Sequence, residues 1–155
     1  MQSRSPAWGV VIGLVGLGLA AWIAFGRALF GMAGSLAIVY ALTLGIVMVV
    51  LHIFIAEGFV RTAQRGFRHR GATYGSLAAC WGLAVVLGLL IPDVTPAGLQ
   101  TIVSGTSEPA RGMAIGFANP IGIIMIVFAF VALFLARGDA VGRADAPRIE
   151  EDELL

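Results

Sequence analysis

The chain has 155 residues, 59 % hydrophobic and 12 % charged, with a mean hydropathy of +0.94 and a formal net charge of +1. This composition excludes a soluble globular domain, and the single cysteine, Cys80, excludes a disulfide framework or a cysteine metal site within one chain. All ten basic residues are arginine, which together with the abundant Ala and Gly points to a high-GC bacterial genome.

Four apolar runs, at 7–25, 29–56, 73–91 and 113–136, take up most of the sequence. Each approaches or exceeds the about 20 residues that cross a bilayer at ~1.5 Å rise per residue. The expected fold is an all-α integral membrane protein, four transmembrane helices in an up-down bundle with both termini cytoplasmic. Residues 1–137 form the transmembrane domain and 138–155 a disordered acidic cytoplasmic tail. The first run follows Arg4, but it exceeds the ~7–15 apolar residues of a signal peptide and no Ala-x-Ala site follows it, so it is read as a retained helix. Its small residues Gly9, Gly13, Gly16, Ala20 and Ala24 recur at helical spacing, the pattern that lets another helix backbone approach closely. That face packs inside the bundle or against another chain.

The connection to the second run, around Gly26–Arg27, reads as very short, so runs one and two form an antiparallel hairpin. Gly34, Ala37, Ala41 and Gly45 repeat the small-residue spacing, and His52 lies two helical turns beyond Gly45. His52 is the one strongly polar titratable group inside a run, and such residues often mark proton or ligand paths. The alternatives are a satisfied packing histidine and a proton-handling site. Haem ligation is disfavoured, because one intramembrane histidine cannot supply paired axial ligands. Run two should continue as helix past the bilayer, since Glu57 and Arg61 form an i,i+4 pair, until Gly66 and Gly71 end it. Arg61, Arg65, Arg68 and Arg70 then mark a cytoplasmic loop by the positive-inside rule and are candidates for binding anionic lipid headgroups.

The third connection, 92–112, holds Pro92, Pro96, Gly98, Gly105 and Pro109, which argue against long regular structure. Leu99, Ile102 and Val103 suggest one interfacial turn. In run four, Asn119 and Pro120 either cap a helix starting at Pro120 or interrupt a longer one from about Ala110. The longer, kinked helix is favoured, because residues 112–118 would otherwise leave unpaired backbone groups near the bilayer. The tail ends in Glu150-Glu151-Asp152-Glu153-Leu154-Leu155, whose likeness to an acidic dileucine sorting signal is read as chance.

No carboxylate pair, Ser-His-Asp set, metal-ligand cluster or phosphate loop lies at membrane depth, so no catalytic, cofactor or metal residues are assigned. Small proton-coupled drug exporters resemble the chain in size and span number, but they depend on a membrane-embedded acid. The runs contain none, and the resemblance stops at topology. No motif is specific enough to name a family.

The expected role is a non-catalytic accessory or assembly subunit of a bacterial plasma membrane, packing against a larger membrane partner or itself through small-residue faces. Lipids are its other partner, and nucleic acid is not expected. The alternative is a channel or transporter component acting as an oligomer, with His52 and the Asn119–Pro120 break lining a path.

Overall fold

The computed structural model describes residues 7–142. Arg4, Arg143, Arg148 and the acidic stretch 150–153, on which part of the topology and tail expectations rest, lie outside the described residues.

Helix α1 spans Ala7–Phe25 and ends in a 3₁₀ turn over Gly26–Phe30. Helix α2 spans Ala37–Gln64, with a π turn at Ala41–Gly45, and α3 spans Gly71–Leu90. A two-stranded antiparallel hairpin follows, β1 (Asp93–Thr95) pairing with β2 (Gly98–Gln100) in the register Asp93 to Gln100. Helix α4 runs over Ala110–Val141. All four helices are long and apolar enough to cross a membrane.

The second helix starts eight residues later than its apolar run, at Ala37 rather than at 29, so the first connection is not short. Gly31 turns the chain at φ 71°, a left-handed conformation that glycine adopts without penalty. The next residues give their backbone groups to the hairpin instead of to a helix. Ser35 N–H donates to the Val94 carbonyl at 3.1 Å and Leu36 N–H to the Asp93 carboxylate at 2.9 Å. A β-carbon at Gly34 would stand 2.3 Å from that carboxylate, so only glycine lets the two segments meet there.

The far end of α2 agrees with the sequence. The Glu57–Arg61 pair forms, and Gly66 at φ 73° follows the helix end. The 92–112 segment departs from an all-α description by forming the hairpin, whose Gly98 has φ 103°.

Helix α4 passes through Pro120 from its start at Ala110, so the break is not a helix start. Proline has no N–H for the carbonyl four residues back and its ring presses on that residue. The residue there is Gly116, which is exposed and side-chain-free. The helix also continues past the apolar run through Gly138–Val141, four residues the sequence reading gave to the tail.

Helix α2 lies between α1 and α4, and α4 packs along α3. The seam holds Ile12, Ile23, Met48, Ile55, Cys80, Ala84, Met125, Ala129 and Ala132, all buried. The alanines along α4 bring helix axes close, which matters because lipid is as apolar as leucine and association depends on contact rather than on expelling water.

Candidate functional site

Polar side chains inside the bundle gather at three levels. At the end carrying the arginine loop, Asp139 of α4 is the centre. Its carboxylate accepts from Arg70 Nε at 2.6 Å, from the Thr73 hydroxyl at 2.7 Å and from Arg70 N–H at 3.3 Å. His69 Nδ1 lies 3.3 Å from the same carboxylate, and its ring stacks on Phe59 with centroids 3.8 Å apart. Burial pushes the His69 imidazole below its ordinary value of 6.5, and the hydrogen bond it donates to Asp139 opposes part of that shift. Arg65 donates to the Ala140 carbonyl at 2.7 Å. The arginine loop therefore clamps the end of α4.

At mid-bundle, His52 is fully buried and both ring nitrogens are engaged. Trp81 donates its indole N–H to Nε2 at 3.0 Å, and Nδ1 lies 2.8 Å from the Met48 carbonyl. An acceptor Nε2 leaves the single proton on Nδ1, which donates to Met48. A second proton would have to displace the indole. The ring is thus tied both to its own helix and to α3.

At the hairpin end, Arg27 and Asp93 form an ion pair at 3.1 Å with both side chains 1 % exposed. Arg27 also donates to the Ala24 carbonyl at 3.0 Å and lies 4.8 Å from the Tyr40 ring centre. The other Asp93 oxygen accepts from Leu36 and Val94 N–H, and the Tyr40 hydroxyl donates to the Pro92 carbonyl at 3.1 Å. The pair joins the α1–α2 connection to the hairpin. On the rim, Arg111 donates to Glu108 and holds that carboxyl below its usual range.

The small-residue face of α1 is used within the chain. Gly9, Gly16, Ala20 and Ala24 are buried, and a β-carbon at Gly16 would lie 2.3 Å from that of His52. A β-carbon at Gly9 would lie 3.0 Å from the Ala56 carbonyl, whereas at Gly13 nothing stands within 4 Å. Helix α2 therefore covers this face at Gly9 and Gly16, the first of the two uses the sequence left open, and not at Gly13.

Asn119 and Pro120 are exposed. Asn119 borders a recess with Tyr40, Leu44, Leu87 and Pro92 at the hairpin end, which His52 does not line. The two residues proposed to share a path are thus not brought together. Of the four loop arginines, Arg65 and Arg70 bind α4 and Arg61 pairs with Glu57, while Arg68 is half-buried.

The Arg27–Asp93 and Arg70–Asp139 pairs escaped the sequence reading. The available signal was an opposite charge at the edge of another run on the same expected side of the membrane. Among the described residues no group of three His, Cys, Asp or Glu side chains is placed to hold a metal ion. The buried polar side chains Arg27, His52, Thr62, Thr73, Ser76, Asp93, Thr101 and Asp139 all bond within the chain. No known protein family matches this chain, and no curated protein or solved structure shows significant similarity to it, so function is read from the residues alone.

Proposed function

We propose that this chain is a non-catalytic accessory or assembly subunit that packs against a larger membrane partner, with the Arg61–Arg70 segment on the cytoplasmic side of a bacterial plasma membrane. The observation that carries the reading is the internal use of the buried polar groups. With those groups bonded within the chain, the molecule offers its surroundings mainly apolar helix surface, on which another helix packs where small side chains let the backbones approach. The channel alternative gains no support, because His52 and Asn119 face different surroundings.

The contact surface in this reading moves from the covered face of α1 to the groove beside it. That groove, about 300 Å³, lies between α1 and α2 and is lined by Ala20, Ala21, Ala24, Ala41, Gly45, Phe25 and larger aliphatic residues. It runs along the π turn, a rare local geometry frequent at functional positions. Small side chains there leave room for the backbone of a partner helix.

The experiment is purification of the tagged chain from its own host in mild detergent, with co-purifying proteins identified. A defined complex larger than the chain is expected. Ala21→Leu and Ala41→Leu, which fill the groove, should shrink that complex while leaving the thermal midpoint of the isolated chain unchanged. Recovery of a pure homo-oligomer that conducts ions in planar bilayers would overturn the reading in favour of transport.

A further inference from the structure

Arg137 differs from the other arginines described at its end of the bundle. Arg61 is paired with Glu57 and Arg70 with Asp139, and Arg65 donates to the Ala140 carbonyl. Arg137 is exposed on α4 and, among the described residues, makes no ion pair or hydrogen bond. Its guanidinium carbon lies 5.3 Å from the centre of the Phe54 ring of α2, close enough for a cation–π contact.

Two contacts fix its place on the seam between α2 and α4. A β-carbon at Gly58 would stand 3.0 Å from that of Ala136, and Arg65 reaches Ala140. Arg61 on α2 and Arg137 on α4 therefore occupy the same stretch of the seam. Arg61 follows Phe54 by seven residues, two helical turns, and so shares its face. Phe54, Arg61, Arg65 and Arg137 are all exposed, and with only Glu57 to set against three arginines the stretch is positive.

Depth narrows what can meet this charge. The apolar runs of the two helices end at Ala56 and Ala136, so Arg137 stands at the edge of the span. Helical side chains lean toward their own N-terminus, and the contact with Phe54 carries the guanidinium back onto a residue inside the apolar run. Acyl chains offer it no acceptor, and an unbalanced cation there is costly. A phosphate at the bilayer edge offers both a negative charge and paired oxygens that fit the guanidinium fork. Phe134 and Phe130 lie one and two turns back along α4, stacked with centroids 6.5 Å apart and both exposed. They give acyl chains a surface directly beneath the cation.

We propose that the α2–α4 seam at Arg137 holds an anionic glycerophospholipid, with its phosphate on the Arg137 guanidinium and an acyl chain along Phe134 and Phe130. The headgroup contact thus belongs to an arginine outside the loop, while Arg70, a headgroup candidate by sequence, is spent on Asp139. The site does not rest on the accessory-subunit reading, whose groove lies between α1 and α2.

The full chain in dodecyl maltoside, titrated with dioleoylphosphatidylglycerol or dioleoylphosphatidylcholine and read as bound lipid by native mass spectrometry, tests this. Phosphatidylglycerol is expected to bind at least about fivefold more tightly, the factor for one basic residue acting on an anionic headgroup. Arg137→Gln removes the charge at an exposed position and should bring the two lipids to within about twofold of each other. Arg61→Gln should cost less, because Glu57 already pairs with that arginine. An Arg137→Gln variant that keeps the wild-type preference would overturn the proposal. Equal losses from Arg61→Gln and Arg137→Gln would also overturn it, since the attraction would then be spread over the whole arginine end. Inorganic phosphate at the lipid's concentration should leave bound lipid unchanged; displacement would make the seam a site for free anions instead. If Arg137→Gln does not fold, Phe54→Leu decides. It keeps the charge, removes the ring under it and should narrow the preference by about twofold or more, whereas an unchanged preference would sink the proposal.

Discussion

His52 shows how an ionisable residue inside an apolar bundle can have both ring nitrogens bonded within the chain. Its position on the inner face of α2 was legible from spacing, because burial follows the helical period. Its partner was not, because the Trp81 indole comes from another helix 29 residues away. Arg27 and Asp93 extend the point to charges. Each stands at the edge of an apolar run, and their pairing spans 66 residues. Removing one member leaves the other buried and uncompensated. Arg27→Met is expected to destabilise the protein by about 3–5 kcal/mol, as for other broken buried pairs. Adding Asp93→Asn removes the stranded charge while an amide oxygen can still accept from Leu36 and Val94 N–H. The double variant should therefore be more stable than the Arg27→Met single. Thermal unfolding in detergent checks this; a double variant less stable than the single would show that Asp93 is stabilised by something other than Arg27.

At the level of elements, run length and hydropathy located four helices, and the Glu57–Arg61 pair and Gly66 located the end of α2. The start of α2 was hidden. Leu29 to Leu36 is apolar enough for a helix, but its first residues close a 3₁₀ turn and Ser35 and Leu36 bond to a hairpin almost sixty residues later. The small-residue face of α1 was legible as a packing face and ambiguous in its partner, since spacing says which residues align and nothing about what they meet. The geometry now separates neighbouring glycines. Gly16→Leu drives a side chain into His52 and should lower the thermal midpoint markedly or prevent folding, whereas Gly13→Leu meets open space and should stay within about 0.5 kcal/mol of wild type. Equal behaviour of the two in a melting experiment would mean that α1 and α2 do not pack as described.

For the whole molecule, stability depends on polar ties at the two ends of an apolar middle, and one of them responds to pH. Burial holds His69 below its ordinary value of 6.5, so the fold prefers the neutral ring. As pH falls through about 6.5 the unfolded chain takes up this proton first. Stability from this residue is therefore full above that pH and declines below it, until the folded ring protonates as well. His69→Gln should therefore flatten the decline in thermal midpoint just below pH 6.5. An unchanged profile would assign the decline to another group. The end ties also carry a consequence for synthesis. The chain emerges from its N-terminus, so Arg27 enters the membrane long before Asp93 exists to neutralise it, and Arg70 likewise precedes Asp139 by 69 residues. The hairpin of α1 and α2 taken by itself therefore has an unmatched cation at its tip. Until Asp93 follows the third helix, the guanidinium has only the Ile23 and Ala24 carbonyls of its own helix to bond within the chain.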